Sequence, residues 1–181
     1  RLLREVSLPK NASACSVAQL SPDGSQLVIG CYFTMPDKST EPGFVVARVT
    51  NGILGGQRFT MNHKLMMSGI WISNQTFVSV DAVSSGNTLL TARTITNGAV
   101  RKTSLIALGQ VSITESEAVS TIPTLVAPGA NTNEFYYEFV TLRITQDTAT
   151  YSSQISRYNL ATKKKTMVRN DGTYMHLIEA R

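Results

Sequence analysis

Apolar residues along this chain alternate with polar ones far more readily than they recur at helical spacing. No stretch of 11 or more residues carries the i, i+3, i+4, i+7 pattern of an amphipathic helix. Short alternating or β-branched runs appear instead, bounded by Gly, Asn, Asp and Pro. They fall at residues 26–33 (QLVIGCYF), 44–49 (FVVARV), 76–80 (TFVSV), 135–142 (FYYEFVTL) and 154–160 (QISRYNL). The pattern predicts an all-β protein of antiparallel strands, with less than about a tenth of helix.

The runs repeat as a group. Ala47-Arg48-Val49-Thr50-Asn51-Gly52 matches residues 92–98 (ARTITNG), and a looser third copy spans residues 156–163 (SRYNLATK). Each copy reads as a strand ending in a polar turn. Each is followed by a further strand, at residues 57–61, 100–106 and 165–169. Asn-Gly is the strongest of these turn signals, because both residues accept the positive φ of a tight hairpin. A second repeat lies upstream. Residues 18–24 (AQLSPDG) precede the strand that starts at Gln26, and residues 70–74 (IWISN) precede the strand that starts at Thr76. In Pro22-Asp23-Gly24, Pro presets φ, Asp bonds its own backbone and Gly takes positive φ. The repeat unit is therefore a four-stranded antiparallel meander. The marker residues Arg48, Arg93 and Arg157 are 45 and then 64 residues apart. The first spacing fits a propeller blade of about 40–45 residues. The second predicts inserted loops in the third unit, at residues 127–133 (APGANTN) and 145–150 (TQDTAT).

Leu20-Ser21-Pro22-Asp23-Gly24-Ser25-Gln26-Leu27 resembles the SPDG blade signature of Tol-type and WD-like β-propellers. The propeller domain of prolyl-oligopeptidase-family serine peptidases carries the same signature, and Trp71-Ile72-Ser73-Asn74 resembles its degenerate form. The resemblance implies a partial β-propeller of about three four-stranded blades, at residues 12–64, 65–110 and 111–181. The third blade lacks the Pro-Asp-Gly turn. Three blades are also fewer than the four to eight that close a ring, so open edges would be covered by self-association or by an atypical closing strand. In function, the resemblance implies the non-catalytic propeller region of a larger prolyl-oligopeptidase-like peptidase, gating substrate access beside a downstream α/β-hydrolase domain. The alternative is a free-standing propeller that binds another protein.

Composition narrows the function classes. Only 16% of residues are charged, against 42% hydrophobic, which fits Thr-, Ser- and Val-rich strands and excludes disorder. The net charge of +5 is spread along the chain, apart from Lys163-Lys164-Lys165. Nucleic-acid binding, which clusters basic residues on one face, is disfavoured. No apolar run approaches the ~20 residues of a membrane helix. The chain begins with Arg1, so its start reads as a processing boundary. The compartment is open, with a periplasmic or secreted one favoured.

Candidate chemistry is sparse. There is no Gly-x-Ser-x-Gly nucleophile elbow, and the two histidines, His63 and His176, read as surface or structural residues. The two Cys and two His lack metal-ligand spacing. Gly52 and Gly55-Gly56 lack the spacing of a phosphate loop. Glu115 and Glu117 would share a face if extended, and read first as a solvated surface. Asp23 reads as turn geometry, and the single Trp71 as an anchor between blades with ligand stacking as the alternative. No catalytic, cofactor or metal residue is therefore assigned. The patterns Asn11-Ala12-Ser13 and Asn74-Gln75-Thr76 match a glycosylation acceptor. Finally, if Leu20 pairs with Gln26 across the first turn, paired numbers sum to 46 and Cys15 falls opposite Cys31. Either a disulfide or two buried thiols fits that position.

Overall fold

The computed structural model describes residues 8–50, 53–54, 65–83 and 86–177. The described residues form antiparallel strands and turns with no helix. The first sheet holds β1 (Ala12–Leu20), β2 (Gln26–Thr34), β3 (Thr40–Thr50) and β4 (Ile53–Leu54), side by side in chain order. The second sheet begins with β5 (Leu65–Trp71), β6 (Thr76–Ala82), β7 (Thr88–Thr96) and β8 (Ala99–Ile113). It continues through β9 (Glu117–Pro128), β10 (Glu134–Thr145), β11 (Thr148–Asn159) and β12 (Lys164–Leu177), again in chain order.

The eight-stranded sheet is two meanders joined by one long strand. Residues 99–109 of β8 pair with β7, and residues 110–113 pair with β9. The sequence boundary at residues 110/111 thus falls inside a continuous strand, where it exchanges one partner for the next. Gly109 sits at that exchange. A Cβ there would meet the Thr88 hydroxyl, the Thr121 carbonyl and the Pro123 ring, so only glycine lets the two meanders approach.

The three meanders stack face to face. One face of β5–β8 presents Trp71, Phe77 and Ile95 to Val28, Phe44 and Val46 of the first sheet. The opposite face presents Val78, Val80, Leu90 and Ala92 to Phe135 and Tyr137 of β10. This follows from the period of two, since Val78 and Val80 point to one side of β6 and Phe77 to the other. Both faces of the middle meander are buried because both are covered.

Side-chain hydrogen bonds fix the stacking register. Gln26 is 4% exposed and donates to the carbonyls of Asn74 (2.7 Å) and Ile95 (2.9 Å) while accepting from Gly98 N–H (3.2 Å). One amide thereby ties the first sheet to two turns of the second. The Asn97-Gly98 hairpin takes the positive φ values expected, 53° and 69°. A Cβ on Gly98 would lie 2.5 Å from Arg48 N, so this turn is also pressed against β3.

Two expectations change. The extra length of the third unit is not in inserted loops. β9, β10 and β11 are 12 residues each and β12 is 14, against 7, 7 and 9 for β5, β6 and β7. Of residues 127–133 and 145–150, only 129–133 and 146–147 lie outside strands. Loop-rich composition misled here because Thr and Ala extend readily when a neighbouring strand supplies the ladder. The first hairpin also starts one residue later than expected, with Leu20 opposite Leu27, which sets the sum at 47. A bulge between Cys15 and Val17 removes one count, and Cys15 faces Cys31 after all. The two are bonded, with Cα atoms 4.1 Å apart.

Candidate functional site

Two polar constellations stand out, one buried and one open. The buried one lies on the face of the middle meander that packs on the first sheet. Ser79 and Asp81 follow Phe77 at every second position of β6, and Thr91 and Arg93 occupy the same face of β7. All four are at most 2% exposed. Arg93 forms an ion pair with Asp81 and donates to Ser79 Oγ and to Thr91 Oγ1 (2.7 Å). Thr91 and Ser79 also donate to Asp81, at 2.9 and 2.7 Å. The guanidinium carbon lies 4.8 Å from the centre of the Phe44 ring. Both carboxylate oxygens are thus bonded, while Arg93 Nε lacks a hydrogen-bond partner.

The open constellation is a cleft of about 590 Å³ at the turn end of the stack. It is lined by Asp23, Arg48, Asn74, Gln75 and Asn97, among others. Asp23 comes from the turn after β1, Asn74 and Gln75 from the turn after β5, Asn97 from the turn after β7, and Arg48 from the end of β3. Asp23 Oδ1 accepts from Ser21 Oγ (2.7 Å), Ser25 N–H (3.0 Å) and Ser25 Oγ (2.8 Å). Those bonds, with Ser21 first, hold its carboxyl below the ordinary aspartate range. The carboxylate serves the turn, and the cleft around it offers amides, one carboxylate and one guanidinium to a polar ligand.

Of the residues singled out from sequence, Cys15 and Cys31 are bonded, and Asp23 and Asn74 both line the cleft. His63, Gly52 and Gly55-Gly56 lie outside the described residues. His176 is in β12 opposite Ala149. Glu115 is exposed in the turn between β8 and β9, so the Glu115–Glu117 segment is not extended. Glu117 instead pairs with Arg143 across the strands at 3.3 Å. Trp71 is an anchor between sheets: its ring sits 5.3 Å from Phe77 and its Nε1–H donates to the Gln19 carbonyl at 3.1 Å. Asn11 and Asn74 both stand in turns. No group of three or more metal-ligating side chains occurs among the described residues, and they hold no helix long and apolar enough to cross a membrane.

Sequence reasoning missed the Asp81–Arg93 pair. Its signal was present: TFVSVDA places Ser79 and Asp81 two apart, and TLLTARTIT places Thr91 and Arg93 two apart, each pair on one face of its strand. From sequence alone, Arg93 stands out only as a repeat marker.

On the opposite face of the middle meander, burial pushes the Tyr137 phenol above its ordinary value, with the Ser156 hydroxyl opposing. An acid whose proton is held more tightly in the folded state stabilises it below about pH 10 and loses that contribution as pH rises further. Chemical denaturation between pH 9 and pH 11.5 should therefore show a steeper loss of stability in the parent than in Tyr137→Phe. Equal slopes would contradict the burial.

No known protein family, curated protein or solved structure matches the chain.

Proposed function

We propose that this chain is a non-catalytic stack of propeller-type blades whose role is to bind another protein. The observation that supports it is the stacking itself. Three antiparallel meanders bury apolar faces against one another, and the SPDG turn of the first, through Gln26, meets the turns of the second. A stack of this kind leaves its end faces and its turn-lined rim for partners. The Cys15–Cys31 bond supports an extracytoplasmic setting, since such bonds persist in oxidising compartments.

Substrate gating in a prolyl-oligopeptidase-like peptidase is the second reading, favoured by the same SPDG resemblance. It requires an α/β-hydrolase domain in the same reading frame, with a Gly-x-Ser-x-Gly elbow followed by Asp and His. Finding that domain would move the role from binding to gating. For the chain itself, incubation with chromogenic peptide and ester substrates should give no turnover above buffer. Hydrolysis abolished by a serine-directed inhibitor would overturn the non-catalytic assignment.

A further inference from the structure

The meanders border their sheets with irregular strands. The central pairs β2–β3, β6–β7 and β10–β11 run without a register shift. The outer pairs β1–β2, β5–β6, β7–β8, β9–β10 and β11–β12 each carry at least one. Bulges bend and twist an outer strand, and a bent edge is a poor template for an added strand. The edge strand β12 also opens on Lys164-Lys165, and edge lysines act in the same direction. A partner that paired by strand addition would meet these obstacles, whereas the turn-lined cleft offers a concave surface free of them.

The cleft also carries hydrogen-bonding capacity that the chain does not use. Asn74, Gln75 and Asn97 line it with side-chain amides, and Arg48 with a guanidinium. None of these four side chains has a hydrogen-bond or ion-pair partner among the described residues. Asp23 and Arg48, the two charged groups of the lining, do not pair with each other. Gln26 in the same lining has made its bonds, to Asn74, Ile95 and Gly98, and these hold the surrounding turns in place.

This lining selects among ligands. It holds no aromatic ring, so a nucleic-acid base has nothing to stack on. Val49 is its one large apolar side chain, too little to bury an apolar ligand. A side-chain amide carries a donor and an acceptor, as a peptide group does. Three of them match the main chain of an extended segment. A guanidinium takes a carboxylate through two parallel hydrogen bonds. The Asp23 carboxylate can accept main-chain N–H groups and repels a second carboxylate, which leaves Arg48 as the place for an acidic side chain. The volume of about 590 Å³ lies in the range of sites that enclose a ligand of a few residues.

We propose that this cleft binds an acidic segment of a partner protein, its main chain against Asn74, Gln75 and Asn97 and one carboxylate on Arg48. The inference rests on the binding role proposed above and names its site and the chemistry of its partner. The net charge of +5 draws such a segment in at long range.

The test is a titration of the isotope-labelled full chain, followed by NMR, with an acetylated and amidated pentapeptide of alternating glycine and glutamate. One guanidinium–carboxylate pair and a few neutral hydrogen bonds give weak binding, with Kd on the order of 10⁻³ M. The side-chain amide signals of Asn74, Gln75 and Asn97 should shift together and saturate. The same peptide with glutamine in place of glutamate should bind at least about fivefold more weakly. Arg48→Gln should weaken the glutamate peptide by a similar factor and abolish the preference for glutamate over glutamine. Arg48 is exposed, so this variant should fold as the parent does. Lys163→Gln, outside the cleft, should leave the affinity unchanged. Amide signals that stay fixed at about 10 mM peptide would overturn the proposal. So would equal binding of the glutamine peptide, unchanged affinity in Arg48→Gln, or equal weakening by Lys163→Gln. None of these results bears on hydrolysis, so loss of this site and loss of the non-catalytic assignment are separate outcomes.

Discussion

Replacing Arg93 by Met should lower the unfolding free energy by about 3–5 kcal/mol, and replacing Asp81 by Leu should cost a similar amount. The cause is the same in both variants. Each leaves one ion about 1% exposed, without its counter-ion, on a face sealed by the first sheet. The loss of Arg93 also removes hydrogen bonds to Ser79 and Thr91 and the contact with Phe44. The double replacement Asp81→Leu with Arg93→Met should recover most of the deficit, ending within about 2 kcal/mol of the parent, because no unpaired charge remains. Urea denaturation of the four proteins measures this as a double-mutant cycle. Additive losses would mean that the two groups do not interact, contrary to the geometry.

Reduction of Cys15–Cys31 should have the next largest effect. The bond closes a loop with a sequence separation of 16 residues. Chain-entropy loss in the unfolded state then stabilises the fold by about 3 kcal/mol. Thermal unfolding with and without reductant, and of Cys15→Ser with Cys31→Ala, should show the same drop in midpoint. Cys31 is 4% exposed among Leu27, Ile29 and Phe33, so Ala at that position adds a small packing loss. No shift on reduction would mean that the thiols are free.

Much of this fold was legible because its signals are local. Pro22-Asp23-Gly24 and Asn97-Gly98 announced their turns, and both Gly24 and Gly98 take positive φ. Alternation in residues 26–33 and 76–80 announced strands whose two faces are both covered. The facing cysteines were found with a register that is off by one at the turn, and the bulge between Cys15 and Val17 restored the pairing. No local signal marks such a bulge, since it depends on how β1 must bend. The third meander was harder to read. Its turn at Lys163, with φ 56°, has no Gly to mark it, and strand lengthening left no trace in composition. The ionic core escaped for a different reason. Asp81 and Arg93 are 12 residues apart, and only the β6–β7 register reveals that they share a face. Leu142 and Ile144 are exposed although residues 140–144 alternate, because alternation does not tell which side will be covered.

The central claim is that the first sheet lies face to face on the second through Trp71. Nuclear Overhauser effects from the single indole of the chain test it directly. The account predicts cross-peaks from Trp71 ring protons to the methyl groups of Val28 and Val46, 43 and 25 positions away in sequence, together with those to its own-sheet neighbour Phe77. Cross-peaks to Phe77 with none to Val28 or Val46 would show that the sheets do not stack, and the account would fail.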